Sequence, residues 1–448
     1  MEVNQQGLLR FNAAGKDFIF SGNTGLLLET NAELDQVFKQ PASEVGAELA
    51  EYLYGGDNAP QCLEQVPPEK IPLQNLTLFV TDTCNLSCSY CYVNKNGAMA
   101  GTKMTFDTFR SAVDTFTSRF SLERRVNVLL FGGEPLLNLP LLREAVAHLK
   151  EISAKTGAQF SYSVVTNGTI VSEDIIDFLL ENDVNVLVSV DATKEAHDEL
   201  RPFLSGKGSY DTVKRNVARL AEFCNVGARV TICDPDTDLV ATYKDLRDLG
   251  FWDVHATLVS EDEDNGIDLQ SSLGKLRQRL REMEAFYLES MKNKEVVRFG
   301  HIGKYLKRIH LGIGTGQAKI LPCSAGYSSF TIATNGDVYL CHRFNNVPSL
   351  KFGSVTEGVE WDKRAEFLEN HQLGARENGA CGTCWASAFC GGTCYHTSYA
   401  VDGQTQSVNA LHCAYTRETL LTALRIYVSM DEEERQILDR LGQSVDES

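Results

Sequence analysis

From residue 73 onward two hydrophobic patterns alternate along the chain. Short apolar runs of strand length recur: "LTLFV" (76–80), "VNVLLF" (126–131), "FSYSVV" (160–165), "VNVLVSV" (184–190), "ARVTI" (228–232) and "VHATLV" (254–259). Between them lie longer stretches with apolar residues three and four apart, such as "MTFDTFRSAVDTFTSRF" (104–120) and "YDTVKRNVARLAEF" (210–223), which is helical spacing. Six such units predict an α/β fold with a parallel sheet wrapped by helices, a partial (βα)6 barrel whose chemistry belongs at the C-terminal strand ends. The segment before residue 73 reads as a separate strand-helix unit. Two short strands flank an Asn/Gly turn in 16–30, helical spacing covers 31–38 and 42–55, and a Gly/Pro-containing linker follows over 55–72. After the last run come an acidic loop from 260 and two helices at 273–292 and 301–312. The expected division is 1–72, a core at 73–260, a helical bridge at 261–320, a Cys-, Gly- and Thr-rich region at 321–415, and C-terminal helices at 416–448.

Composition places this pattern in a setting. The chain has 448 residues, 43% hydrophobic and 23% charged, enough for two or three packed domains. The first thirty residues lack a basic region followed by an apolar run, and no run reaches the roughly 18 apolar residues that span a bilayer. A cytoplasmic protein without a membrane partner is expected. A formal charge of −18 argues against nucleic acid as the main partner. Thirteen cysteines in a reducing compartment point to metal or redox chemistry rather than disulfides.

The cysteines fall into two groups. "TDTCNLSCSYCYVNK" (81–95) sets Cys84, Cys88 and Cys91 at C-x3-C-x2-C, with no second C-x2-C nearby to close a zinc tetrahedron. Farther on, Cys323, Cys341, Cys381, Cys384, Cys390, Cys394 and Cys413 put seven thiols within 91 residues. Two zinc sites would need eight ligands, whereas two iron-sulfur clusters could use four and three; the spacing alone leaves the metal open.

With Tyr90 before the last cysteine of the triplet and "GGEP" at 132–135, the first motif resembles the radical S-adenosylmethionine (SAM) superfamily. The pattern C-x12-G-x4-C around Gly336, then C-x2-C-x5-C-x3-C, then Cys413, is similar to the SPASM extension that binds auxiliary 4Fe-4S clusters. The resemblance implies three 4Fe-4S clusters and SAM as cofactors. Cys84, Cys88 and Cys91 would hold the first, whose fourth iron chelates SAM; an electron passed into the sulfonium then yields a 5′-deoxyadenosyl radical that abstracts hydrogen from substrate. Gly132 and Gly133 would let backbone approach the SAM methionine moiety and Glu134 would receive its ammonium, although the same four residues also suit a plain strand-ending turn. Ser189, Asn167 and Asp191 end strands where polar groups could hold ribose and carboxylate, and Arg201 resembles the arginine that meets the SAM carboxylate. By family pattern Cys323, Cys341 and Cys394 serve the first auxiliary cluster, and Cys381, Cys384, Cys390 and Cys413 the second. Fully ligated relatives have an extra cysteine between the positions of Cys323 and Cys341; this chain has none, so an open iron is expected. Cys62, Cys224 and Cys233 are expected as core thiols.

Sulfatase-maturing relatives carry an aspartate after the second SPASM cysteine, where this chain has His342. The surrounding "YLCHRF" and "CWASAFCGGTCYH" look instead like maturases that form sulfur-to-carbon thioether crosslinks, including the quinohemoprotein amine dehydrogenase maturation family and the ranthipeptide enzymes. The implied partners are a peptide or small protein substrate and an electron donor such as flavodoxin or ferredoxin. The N-terminal unit would capture a leader peptide or cap the barrel, with a separate recognition chain as the other route. Carbon-carbon crosslinking and anaerobic sulfatase-type maturation are the alternatives within this chemistry, and a non-catalytic zinc module is the alternative outside it. No residue stands out as a general base.

Overall fold

The computed structural model describes residues 1–54, 67–95, 101–260, 269–312, 319–372 and 381–439. Most of the linker, with Cys62, and the acidic residues 261–264 lie outside them. An antiparallel N-terminal sheet comprises β1 (Glu2–Val3), β2 (Leu8–Ala13), β3 (Lys16–Ser21) and β4 (Leu27–Glu29). Six parallel strands follow: β5 (Asn75–Thr81), β6 (Val126–Gly132), β7 (Phe160–Thr166), β8 (Val184–Ser189), β9 (Val226–Ile232) and β10 (Asp253–Leu258). They lie in sequential order with helical crossovers, as the alternation predicts, and every predicted run coincides with a strand. In β6 the alternate residues Val126, Val128 and Leu130 are fully buried. The crossover helix Phe106–Thr117 adds Phe109, Ala112, Val113 and Phe116 to the same core, a stripe at helical spacing. Asn127, on the other face of β6, helps line a polar floor. It donates to Asn75 at 3.2 Å, accepts from Ser163 at 2.8 Å, and Asn75 in turn donates to Ser329 at 3.0 Å.

Ser329 belongs to a feature that the pattern did not foretell. Strand β11 (Ser329–Ile332), from the cysteine-rich region, pairs in parallel with β5, and β12 (Asp337–Tyr339), β13 (Lys351–Ser354) and β14 (Gly358–Val359) extend the same sheet to ten strands. Gly336 makes the β11–β12 turn at φ +89°, a conformation that favours glycine. At the opposite edge, Val254 of β10 pairs with Phe299, and the helix Gly300–Leu311 follows directly.

The N-terminal sheet uses both faces. Leu9, Phe11, Phe18 and Phe20 join the main core, while Leu8 and Ile19 pack with Val37, Phe38, Val45 and Leu53 of the flanking helical segments. Phe20 lies 6.3 Å from Trp385 and 5.6 Å from Phe389, so the unit rests on the cysteine-rich loop. Strands β1 and β2 escaped the sequence analysis because the consecutive "LL" of β2 breaks alternation: Leu8 serves one face and Leu9 the other. The predicted helix at 42–55 divides into a turn, Ala42–Glu44, and a helix, Ala47–Tyr54, on either side of Gly46. Among the described residues no helix is long and apolar enough to cross a membrane.

A Cβ at Gly22 would sit 1.7 Å from the Trp385 carbonyl oxygen, whereas one at Gly274, exposed inside the helix Leu269–Lys292, meets nothing within 4 Å. Gly22→Ala is therefore expected to cost about 2–3 kcal/mol by forcing the sheet off the loop, and Gly274→Ala to add about 1 kcal/mol. Thermal unfolding of both variants checks the pair.

Candidate functional site

The cysteine triplet leaves the C-terminal end of β5, and its approach is set by the two glycines after β6. Gly133 N–H donates to the Thr81 carbonyl at 2.9 Å and Glu134 N–H to the Thr83 carbonyl at 2.8 Å. A Cβ would lie 2.1 Å from the Thr81 oxygen at Gly132 and 2.4 Å from the Thr83 oxygen at Gly133. The close approach that glycine permits here is made by protein backbone, the segment leading into Cys84. Glu134 is likewise engaged internally. Fully buried, it accepts from Leu136 N–H (3.1 Å) and Thr166 Oγ1 (2.8 Å) through Oε1, and from Asn167 N–H (2.7 Å) through Oε2. Burial pushes its carboxyl up to about 7. Glu134 ties the end of β6 to the end of β7.

The thiols meet N–H donors. Asn167 Nδ2 lies 3.7 Å from Cys84 Sγ, Leu86 N–H points to the same sulfur at 3.5 Å, and Arg201 Nη1 lies 3.9 Å from Cys88 Sγ. Burial raises the Cys84 thiol and pushes Cys88 up to about 11, and each of the two also feels the charge of Cys91. Arg201 Nε donates to Asp191 Oδ2 at 2.9 Å, the Tyr90 hydroxyl donates to the same oxygen at 2.8 Å, and the guanidinium stacks 4.9 Å over the Tyr90 ring. Tyr90, Asp191 and Arg201 thus form one buried unit beside Cys88. Asp191, 2% exposed, has Arg201 and Tyr90 as partners and supplies the countercharge for a buried arginine. Half-buried Ser189 ends β8 in register with Arg229 of β9.

Sequence reasoning missed His197. Its Nδ1 accepts from Asp191 N–H at 3.2 Å, which leaves the proton on Nε2; that nitrogen donates to Ser209 Oγ at 2.9 Å, and Ser209 Oγ donates to the Arg201 carbonyl at 2.7 Å. The chain of bonds holds the backbones of Asp191 and Arg201 in a fixed relation. The available signal was a histidine four residues before Arg201 in "HDELRPF".

The later cysteines form two groups. Cys341 feels the charges of Cys394 and Cys323, and burial pushes its thiol up to about 12. Cys381, Cys384, Cys390 and Cys413 line one cavity of about 30 Å³ together with Gly392 and Thr393. Among the described residues no three His, Cys, Asp or Glu side chains converge closely enough to hold a single metal ion. Four thiols around an open space suit a larger cluster better than a zinc ion, whose sulfur ligands sit at about 2.3 Å. Cys233 stands apart in an apolar cavity with Ile232, Leu258 and Leu276, and Cys224 bonds the Leu220 carbonyl at 3.6 Å.

Between the first thiols and Cys341 lies an aromatic group. Tyr92 contacts the rings of His342 and His396 at 6.0 Å each, His342 lies 5.2 Å from Phe131, and Arg343 covers Tyr92 at 5.7 Å. Burial holds His342 down at about 3, so it is neutral.

Residues 78–258, which carry nearly all of the six parallel strands and the first thiol set, match the model of the Radical SAM superfamily. The chain carries a radical SAM domain. An uncharacterized protein of Methanocaldococcus jannaschii is 35% identical over 143 residues, 32% of this chain and 47% of that protein. The cysteine-type anaerobic sulfatase-maturating enzyme of Clostridium novyi is 30% identical over 148 residues, 32% of this chain and 39% of that enzyme. The matches thus span less than half of either relative. Two solved structures share the fold more widely. Native anSMEcpe with bound AdoMet and Cp18Cys peptide has a TM-score of 0.65 at 20% identity, covering 83% of this chain and 99% of that one. Streptococcus suis SuiB bound to its precursor peptide SuiA has a TM-score of 0.53 at 13% identity, covering 92% and 100%. At such identities the likeness is one of fold.

Burial lowers His197 from 6.5 to about 4, and His197 is fully buried. As pH falls from 6.5 towards 4 the unfolded chain takes up a proton that the folded chain does not, so stability is lost with acid by up to about 3 kcal/mol. In His197→Gln the acid slope of urea-unfolding stability should shrink by one proton; an unchanged slope would mean the histidine charges in the folded state.

Proposed function

We propose that this chain is a radical SAM enzyme of the SPASM type that acts on a peptide or small protein and joins a cysteine sulfur to carbon. The observation that carries the radical SAM part is the set Cys84, Cys88 and Cys91 at the end of β5, with N–H groups of Leu86, Asn167 and Arg201 directed at its sulfurs. When bound, a 4Fe-4S cluster and SAM supply the one-electron chemistry that starts hydrogen abstraction from substrate. The chain's own residues hold thiolates and screen their charge. N–H donors directed at sulfur stabilise the more negative state of a ligand set, and the Tyr90–Asp191–Arg201 unit sets a cation against Cys88. Asn167 and Ser189 are proposed as polar contacts for SAM, Asn167 beside Cys84 and Ser189 at the end of β8. Cys323, Cys341 and Cys394 are assigned to one auxiliary cluster, and the ring of Cys381, Cys384, Cys390 and Cys413 to the other.

A peptide substrate is supported by the two fold relatives solved with peptides. Thioether formation is supported by His342 at the position after Cys341. Buried, neutral and packed on Phe131, it offers no carboxylate base there. Sulfatase-type maturation is the second reading, favoured by the 30% identity to the clostridial enzyme. Flavodoxin or ferredoxin as electron donor and a cytoplasmic location complete the proposal. The N-terminal sheet, seated on the loop bearing Trp385, would steady the second auxiliary site, with its edge strands open to a leader peptide.

Anaerobically reconstituted protein is expected to hold about twelve irons per chain with matching sulfide, and the Cys84→Ala, Cys88→Ala, Cys91→Ala variant about eight, with no deoxyadenosine formed from SAM. Zinc in place of iron would refute the assignment. With a candidate peptide, the thioether reading requires loss of two hydrogens by mass spectrometry and disappearance of one alkylatable thiol; conversion of a cysteine to formylglycine would select the sulfatase reading.

A further inference from the structure

Outside the thiol sites, cations line a path into the barrel. Ser189 of β8, Arg229 of β9 and His255 of β10 are successive register partners, so their side chains stand in one row. Their neighbours Ala228, Val230, Val254 and Ala256 belong to the core on the opposite, helix-covered face, which turns the row towards the lumen. The row ends at the edge of β10, where Val254 pairs with Phe299. Immediately beyond it, the helix Gly300–Leu311 carries His301 and Lys304 one turn apart on one face. Lys319 closes the group, its backbone N–H bonded to the Ala388 carbonyl at 2.9 Å.

These groups lie within electrostatic reach of one another. His301 feels the charges of Lys304, Arg229, His255 and Lys319, each of which lowers it. Burial, then Lys304 and Arg308, lower Lys319 to about 8 against the opposing pull of the Cys390 and Cys323 thiols, and Arg229 is lowered by burial and by Arg343 against Tyr92. No carboxylate acts appreciably on any of the three. Among the described residues Arg229, Lys304 and Lys319 make no ion pair, and the nearest acid of the row, Asp253, pairs with His255 at 2.9 Å. In a chain of net charge −18, acidic partners are abundant. Three cations left without one, running from the surface to the lumen, are the arrangement that an incoming anion would complete.

We propose that Arg229, Lys304 and Lys319 form a binding track for an acidic segment of the peptide substrate, which enters over the edge of β10 towards Ser189. The inference rests on the peptide-modifying function proposed above and adds the charge of the substrate and its route. An extended chain fits better than a folded acidic protein, because Arg229 stands on a lumen-facing strand position that a globular surface does not reach.

The test uses the full chain, reconstituted anaerobically, and two rhodamine-labelled decapeptides, alternating Gly-Glu and alternating Gly-Gln, titrated by fluorescence anisotropy. At about 0.02 M NaCl the acidic probe should bind at least about tenfold tighter, and the preference should collapse at about 0.5 M, where the screening length falls to a few ångströms. Lys304→Gln with Lys319→Gln should reduce the preference by about tenfold, and Arg229→Gln alone by several-fold, with iron content unchanged as the check on folding. Absence of a preference in the parent chain, or its survival in all variants, would overturn the track. Loss in the lysine variant with full retention in Arg229→Gln would also overturn it, since the lysines would then serve a folded acidic partner at the surface. Deoxyadenosine formation from SAM under dithionite separates the two proposals. Turnover without acid preference removes only the track, whereas acid preference without turnover supports the track and removes the radical SAM reading.

Discussion

The pairing of β11 with β5 is the contact on which the rest of the site depends. It lays a strand from the cysteine-rich region against the first strand of the barrel, Ser329 beside Asn75 through Ile332 beside Leu78. Thr334, just beyond, donates to buried Asp82 at 2.8 Å, directly before the first thiol. A ladder of main-chain bonds with a side-chain tie at each end leaves little freedom between the two thiol regions. Cys341 is thereby carried on the next hairpin to face Tyr92, and the two sets of cysteines share one interior although some 230 residues or more separate them in sequence.

Around that frame the charges are divided by place. The surface carries the acid excess, while the interior holds arginines and neutral histidines beside thiols. Arg201 has a carboxylate partner in Asp191 and is fixed by it, so it acts as a rigid neighbour of Cys88. His342, His396 and His412 are all held well below their ordinary value by burial and, next, by neighbouring cations or, for His412, partly against a carbonyl bond. They are polar, uncharged walls. Burial by itself raises the Cys84, Cys88 and Cys341 thiols, so it is nearby N–H donors and cations such as Arg201 that act in favour of their charged form.

How much of this was legible differs from element to element. The six apolar runs mapped onto β5 to β10 because the helix-covered face of each strand is buried, and in β6, β8 and β10 this falls on alternate positions. The helix Phe106–Thr117 was legible for the companion reason of its stripe. The glycines at 132 and 133 were recognised as places of close approach, yet what approaches them is the backbone of Thr81–Thr83. Glu134 and Asp191 were read from the sequence as ligand-facing groups, and in the fold both also bond to the protein itself. No pattern distinguishes a carboxylate that faces a ligand from one that pins two strands, because the residue type at the strand end is the same. His197 carried only a weak cue, since its partners, Asp191 and Ser209, meet it through a loop.

The sequence by itself determined the strand and helix alternation and the kinds of sulfur donor, since hydrophobic period and cysteine spacing are local properties of a chain. The ten-stranded sheet, the union of the barrel with the cysteine-rich region and the row from Ser189 through Arg229 to His255 were decided only in three dimensions. Each depends on which strand lies beside which and in what register, and that choice is made by contacts between residues far apart in the chain, where no local period reaches.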